Sequence, residues 1–389
     1  MKKSCLLIIL SIILLFSSSA FAVGKNNIYW NLAVVRLGQH NNTLLNMAGS
    51  ERVARRQYDE AVTDAKYVNT DGMTITFGGE KYYIKFEQQT QMLLTQQKEL
   101  LPEQMKLSWE LTRDNGTKAR NSMIIGLRNL YFGLYNADND RKLAQEKYEL
   151  ARNIYNQDTI RHQRELISEL DLSVSGHDLL KAEKEVASAQ RSYENMLRSF
   201  NSYIGVESET LYDKIIYDEQ YSEARLKQCE EYVNKSMTRR LDIVEIEKQL
   251  SLLEKQKNIM DRYPKMLSIP TVREDYDDIL LQMEILSLKL ESVKLEVEKE
   301  IEEAYVEVDA AKRNVINMKN MLDLQGNSLD NTKEKYQNGM ISKNVLDQAQ
   351  IGYNSMRNNY EAVLFDYNTK LMKLEYAAGL GPAFQEGIR

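Results

Sequence analysis

Residues 336–379 read YQNGMISKNVLDQAQIGYNSMRNNYEAVLFDYNTKLMKLEYAAG. Asn338-Gly339 is a turn dipeptide. Behind it, apolar or small residues keep to one helical face as far as Gly379, which is placed as a C′ glycine. The same stretch occurs earlier. Residues 167–205, ISELDLSVSGHDLLKAEKEVASAQRSYENMLRSFNSYIG, align with it without a gap at the distance from Gly205 to Gly379, 174 residues. Ile167 and Ser168 fall on Ile341 and Ser342, Leu172 on Leu346, Tyr193 on Tyr367 and Leu197 on Leu371. Upstream, Asn129–Leu134 falls on Glu303–Val308 at the same offset. A repeat this long means two copies of one structural unit.

Working outward, the pattern predicts a helix from Asn31 to about Tyr67. Met73 to Phe86 alternates around Gly78-Gly79 and predicts a β-hairpin. Helix resumes near Gln88, with Pro102 as a kink or first-turn residue, and runs to about Arg164. Another helix spans about Asp171 to Tyr203. Residues 206–220 form a polar connector. Ser222-Glu223-Ala224 reads as a capping-type start of the second unit, whose first helix ends at Tyr263-Pro264. Residues 265–272 leave little room for a strand pair. From Arg273 the chain reads as helix to about Asp323.

That helix carries apolar residues at Ile279, Met283, Leu286, Leu290, Val293, Val297, Ile301, Ala304, Val308, Ala311, Val315, Met318 and Leu322. The steps of three and four form a coiled-coil seam. Their mean, about 3.6, predicts weak supercoiling. At ~1.5 Å per residue, its roughly 45–50 residues span about 70 Å. The expected fold class is therefore all-α: long antiparallel coiled-coil helical hairpins in two tandem repeats, with at most one short β-hairpin. Each of four long helices has one narrow stripe to bury, so neighbouring helices, including those of other chains, are expected.

Composition narrows the function. Lys2 and Lys3, an apolar run from Leu6 to Phe16 and Ala20-Phe21-Ala22 read as a cleaved Sec export signal over residues 1–22. No other stretch approaches a membrane-spanning helix. The formal net charge is −6, or −8 without the two signal lysines, which argues against a nucleic-acid partner. Of the two cysteines, Cys5 lies in the signal and Cys229 stands alone, so no intrachain disulfide forms in the mature chain. His40, His162 and His177 are too scattered for a metal site. No nucleophile elbow, phosphate loop or Cys-His pairing occurs. Neither a cofactor nor an enzymatic activity is expected.

A duplicated pair of long helices behind an export signal resembles the TolC-type outer-membrane efflux family. Asn31 to Leu45 (NLAVVRLGQHNNTLL) is similar to the family's opening motif, and Ser222 to Ile243, ending Arg240-Leu241-Asp242-Ile243, is similar to its second copy. Tyr131 and Tyr305 sit where the family carries an alanine/leucine-tyrosine pair. Tyr336 to Ser342 followed by Val345-Leu346-Asp347 resembles the helix-to-helix turn at the inner tip. The resemblance implies a homotrimeric helical barrel, docked through its tips onto a membrane-fusion adaptor and coupled to an inner-membrane pump. It implies docking turns at Gly339, Met340, Ile341 and Ser342, and at Glu165, Leu166, Ile167 and Ser168. It implies an aperture at Asn344 and Asp347. It places the protein in the outer membrane, or elsewhere in the cell envelope if the cell has none.

The expected organisation is a signal (1–22), repeat one (23–205), connector (206–221), repeat two (222–381) and tail (382–389). One departure stands out. The family inserts two strands per copy, whereas here only copy one has room for a hairpin. Three chains would give six strands, below the roughly eight of small membrane barrels. Two readings follow: a TolC-like exit duct for efflux or type I secretion, gated at the tips, or an exported structural coiled-coil protein without a pore.

Overall fold

The seam counted on the sequence is the spine of the molecule. In the computed structural model, which describes residues 27–222 and 225–381, every one of its positions from Ile279 to Leu322 is buried or half-buried. The export signal at residues 1–22 and the tail at 382–389 lie outside the described residues.

Strand β1 (Asn27–Ile28) leads into α1 (Trp30–His40) and α2 (Asn42–Ala65). Strands β2 (Gly72–Phe77) and β3 (Glu80–Lys85) form an antiparallel hairpin. Both of its turn glycines have positive φ, 62° and 89°, as a two-residue primed turn requires. Helix α3 (Gln88–Thr95) passes through one π-turn into α4 (Leu101–Gln163), and α5 (Glu169–Tyr203) returns antiparallel. Strand β4 (Lys214–Ile215) pairs parallel with β1. Copy two follows as α6 (Cys229–Arg239), α7 (Leu241–Asp261), a short 3₁₀ turn, α8 (Pro270–Gln337) and α9 (Lys343–Ala377).

The repeat is met to the residue at its tip half. Helix α4 ends at Gln163 and α8 at Gln337, and α5 and α9 are both 35 residues long with starts at Glu169 and Lys343, keeping the 174-residue offset. In repeat one, Leu127, Tyr131, Leu134 and Ala137 of α4 pack on Tyr193, Leu197 and Phe200 of α5. In repeat two, Val297, Ile301, Val308, Ala311 and Val315 of α8 pack on Leu364, Tyr367, Leu371 and Leu374 of α9. Each fully buried Leu, Ile or Val contributes roughly 1.5–3 kcal/mol. A third cluster, Met92, Leu100, Ile259, Met260, Met266 and Ile279, closes the end away from the tips.

Several sequence expectations are corrected. The last coiled-coil helix runs from Pro270 to Gln337, 68 residues rather than 45–50, about 100 Å long. The seam continues past Leu322: Leu329 is buried one turn pair further on. The opening helix of copy one is broken at Asn41, whose side chain accepts from the backbone N–H groups of Thr43 and Leu44 and so starts a new helix. The second copy breaks likewise, at Arg240. Its first helix starts at Cys229 rather than at Ser222; Glu223 and Ala224 lie outside the described residues. Gly379 is not left-handed: α9 ends at Ala377, and the positive φ falls on Gly381.

Arg240 shows why copy two breaks where it does. Its guanidinium is nearly fully buried and donates to both carboxylate oxygens of Asp242 (3.1 and 2.7 Å), to Glu300 of α8 (2.8 Å) and to the carbonyl of Ala377 (3.4 Å). A continuous helix could not aim one fork at α7, α8 and the end of α9. Burial alone would raise the Asp242 carboxyl, but the hydrogen bonds from Arg240 hold it below its ordinary value. A depressed carboxylate contributes stability that is complete above the unfolded value, near pH 4, and is lost as pH falls through the folded one. Stability measured by urea midpoint is expected to drop between about pH 5 and pH 3, and the drop is expected to be shallower in Asp242→Asn.

Candidate functional site at the tip turns and the inter-repeat seam

The two tip turns share one backbone solution. In copy one, Glu165 N–H bonds the His162 carbonyl (2.8 Å) and Leu166 N–H bonds that of Arg161 (2.9 Å). In copy two, Gly339 N–H bonds Tyr336 (2.9 Å) and Met340 N–H bonds Lys335 (2.9 Å). Both are Schellman caps, which need a left-handed residue at C′. Gly339 meets this at φ 70° without strain; Glu165 meets it at φ 59° as the one described non-glycine residue with positive φ. Leu166 and Met340 then stand exposed at the two apices, with Ile167 and Ile341 half-buried beneath them.

The restarts differ. Ser168 and Asp171 form a reciprocal capping box: Ser168 Oγ accepts from Asp171 N–H (3.1 Å), and Asp171 accepts from Ser168 N–H (3.1 Å). The Ser168 hydroxyl, donating at 2.8 Å, and then the Ser168 N–H hold the Asp171 carboxyl below its usual range. Ser342 occupies the same extended position but makes no side-chain cap bond. Its third helical residue is Val345, so no carboxylate can reach back.

The two aperture candidates point to different partners. Asn344 donates to Gln157 Oε1 of α4 (2.9 Å), across the seam between repeats. Asp347 is half-buried and ion-paired with Lys343, one turn back on its own helix. Neither presents an unpaired charge within this chain.

The Asn344–Gln157 contact is one rung of a ladder. Asn354 donates to Glu146 (2.9 Å), Tyr135 to Glu361 (2.8 Å), and Arg128 Nε to Thr369 (2.9 Å), with the Phe132 and Phe365 rings stacked at 4.0 Å between the last two rungs. Further up, α4 and its leading turn meet α7 through Glu110–Lys248, Glu103–Lys255 and Glu99–Arg262. Within each repeat the interface is apolar; between repeats it is mostly hydrogen bonds and ion pairs from Glu110–Lys248 to Gln157–Asn344, and apolar at the end away from the tips, where Met92 and Leu100 share a core with Ile259, Met260 and Ile279.

Arg128 is the densest rung. Its side chain is 6% exposed, its fork grips both oxygens of Glu219 in the connector, and its guanidinium lies 4.8 Å over the Phe365 ring. Asn368 (2.9 Å) and Tyr217 (3.1 Å) also donate to Glu219. Burial, with the Glu219 charge beside it, keeps the Tyr217 phenol far above its ordinary value.

No family model matches the sequence, and no curated protein matches it in sequence. Solved structures do match its fold. A membrane protein from Pseudomonas aeruginosa superposes with a TM-score of 0.60 at 11% identity, over 92% of each chain. CusC, described through conformational changes accompanying folding and transmembrane channel formation, gives 0.59 at 13%, over 90% of this chain and 92% of the other. The open state of the Neisseria gonorrhoeae MtrE outer membrane channel gives 0.56 at 14%, over 90% and 89%. This is the fold of the TolC-type outer-membrane channels.

Two tyrosines that carried the resemblance in sequence are placed as follows. Tyr131 donates to the carbonyls of Ile28 (3.1 Å) and Ile216 (2.5 Å), holding the β1–β4 bridge on α4. Tyr305 packs against Tyr232. The residues missed from sequence are Arg128, Glu219, Asn368 and Thr369. A signal existed for the first: Arg128 interrupts an apolar run, MIIGLRNLYFGLY, and a cation in such a run needs a buried partner. Its partner, 91 residues away, could not be named.

Two outcomes are expected here. Arg128→Ala is expected to lower stability by about 3–5 kcal/mol, because it leaves the Glu219 carboxylate without its cation; Arg128→Lys recovers less than half, having no fork. Swapping the tips separates backbone from side chain: Glu165→Gly is expected to raise stability by about 0.5–1 kcal/mol and Gly339→Glu to lower it by about 1 kcal/mol. Urea midpoints at constant slope read both.

Proposed function

We propose that this chain is one subunit of a TolC-like exit duct in the cell envelope, reached through the export signal at residues 1–22. It does no chemistry and conducts cargo driven by a partner pump. Its two repeats are residues 23–205 and 222–381, joined by the connector 206–221. The observation that carries this reading is the open arc its helices make. Near the tips the lateral order is α5–α4–α9–α8; towards the other end it is α2–α4–α7–α8. The arc has two edges. On one, α8 leaves Leu281, Ile285, Leu288 and Leu295 more than half exposed at coiled-coil spacing. On the other, α2 exposes Leu45 and Val53, and α5 exposes Leu170, Val174 and Leu180. An arc with apolar edges is completed by further copies of itself in a closed ring. The fold likeness to outer-membrane channels supports the same assembly, with three copies.

In this reading the docking elements for a membrane-fusion adaptor are Glu165–Ser168 and Gly339–Ser342, with Leu166 and Met340 as exposed anchors. Asn344 and Asp347 line the aperture. Opening moves the repeats along their polar seam, where rungs can exchange partners while the apolar cores stay closed. The second reading, a coiled-coil envelope rod without a pore, is favoured by a single feature, the one short hairpin per chain.

Light scattering of the chain from Val23 onward is expected to give a trimer, and Leu288→Asp with Leu295→Asp to give a monomer of unchanged helicity. A wild-type chain that stays monomeric alone and with its adaptor overturns the ring. Leu166→Asp with Met340→Asp is expected to abolish adaptor capture while leaving the trimer intact.

A further inference from the structure

Every apolar side chain of the hairpin β2–β3 is exposed. Of its strand residues only Gly72 is buried. The register sorts the rest by face. Met73 lies opposite Ile84, Ile75 opposite Tyr82, and Phe77 opposite Glu80; on the other face Thr74 lies opposite Tyr83 and Thr76 opposite Lys81, with Lys85 beside Gly72. One face is therefore Met73, Ile75, Phe77, Tyr82 and Ile84, all exposed, Phe77 by 77%, with the single carboxylate of Glu80 at its turn end, where it accepts from the Tyr82 hydroxyl (2.9 Å). The opposite face carries both lysines, both threonines and Tyr83. Tyr67, just before the hairpin, is 83% exposed. The hairpin hangs from the end closed by Met92, Leu100, Ile259 and Met266, opposite the tips.

We propose that this face lies flat in the headgroup and upper acyl region of a lipid bilayer, as an interfacial anchor that does not span. Three observations favour lipid lying flat on the face. First, six residues per strand reach about 20 Å, and a spanning strand needs roughly 9–11 residues. Second, the outer edges of β2 and β3 carry unpaired backbone groups, which hydrocarbon does not tolerate but water and headgroups satisfy. Third, the aromatic content suits the interface, where tyrosine rings settle, and Lys81 and Lys85 on the far face can reach lipid phosphates. A second copy is the weaker occupant. The hairpin's footprint, about 20 by 10 Å, is far below the roughly 800 Å² per partner of a specific protein interface; a lipid surface has no such minimum.

The test uses the chain from Val23 onward with Phe77→Trp and mixed phosphatidylcholine–phosphatidylglycerol vesicles, the unsubstituted chain giving the Trp30 and Trp109 background. Adding vesicles is expected to blue-shift the new emission. Bromines placed near the headgroup are expected to quench it more than bromines near the acyl chain ends. Phe77→Ser with Ile84→Ser is expected to lower the vesicle-bound fraction at least about tenfold with unchanged helical circular dichroism. Absence of vesicle binding overturns the proposal. So does strongest quenching from the chain ends, which marks spanning strands. A concentration-dependent blue shift without vesicles also overturns it, since a second copy would then cover the face. The anchor stands apart from the duct reading: vesicle binding lost with the trimer intact strikes the anchor alone, and the reverse strikes the ring alone.

Discussion

A buried guanidinium that cannot lose its proton dictates how the two halves of this protein meet. Arg128 sits in the middle of α4, on the face that repeat one turns towards repeat two, and must be compensated where it lies. The compensation comes from three directions: Glu219 from the connector, Thr369 from α9, and the face of Phe365. The connector is thereby pinned against both repeats, and Tyr217 and Asn368 are drawn in to complete the carboxylate's acceptor sites. A charge so placed specifies register in a way that leucines on two long helices could not, since sliding by one turn would strand it.

The same logic separates two kinds of interface. Each repeat closes on itself through valine, leucine and tyrosine side chains whose burial is non-directional and strong. Apart from the shared apolar cluster at the end away from the tips, the repeats meet each other mainly through hydrogen bonds and ion pairs, each of which nets little against water and depends on geometry. A chain built this way is stiff within its hairpins and more compliant along the polar stretch between them. Any large movement of the helices therefore belongs at the seam from Glu110–Lys248 to Gln157–Asn344, on the tip side of the apolar cluster that joins the repeats.

The duplication is uneven. The tip halves match to the residue, while the far ends differ: copy one inserts a hairpin and a π-turn, copy two only a 3₁₀ turn. Even at the tips, equal backbone geometry rests on unequal chemistry, a strained glutamate with a capping box in one copy and a relaxed glycine without one in the other. The backbone path is what both copies keep.

Sequence alone determined the all-α hairpins, the repeat, the two-glycine hairpin and the turns, because these rest on local periodicity and on glycine's freedom of φ. Helix ends such as Gln163 and Tyr203 were legible within a residue or two for the same reason. Only the structure showed the breaks at Asn41 and Arg240, the full reach of α8 to Gln337, and the partners of Arg128 and Arg240. The Asn41 break is local, a side-chain cap on Thr43 and Leu44 that the apolar periodicity passes over; the arginines meet groups 60 to 241 residues away, and no local pattern records which distant carboxylate a buried arginine meets. The structure also supplied the partners of Asn344 and Asp347, Gln157 on α4 and Lys343 one turn back. Hydrophobic periodicity tells a helix which face to bury; only packing tells it against what.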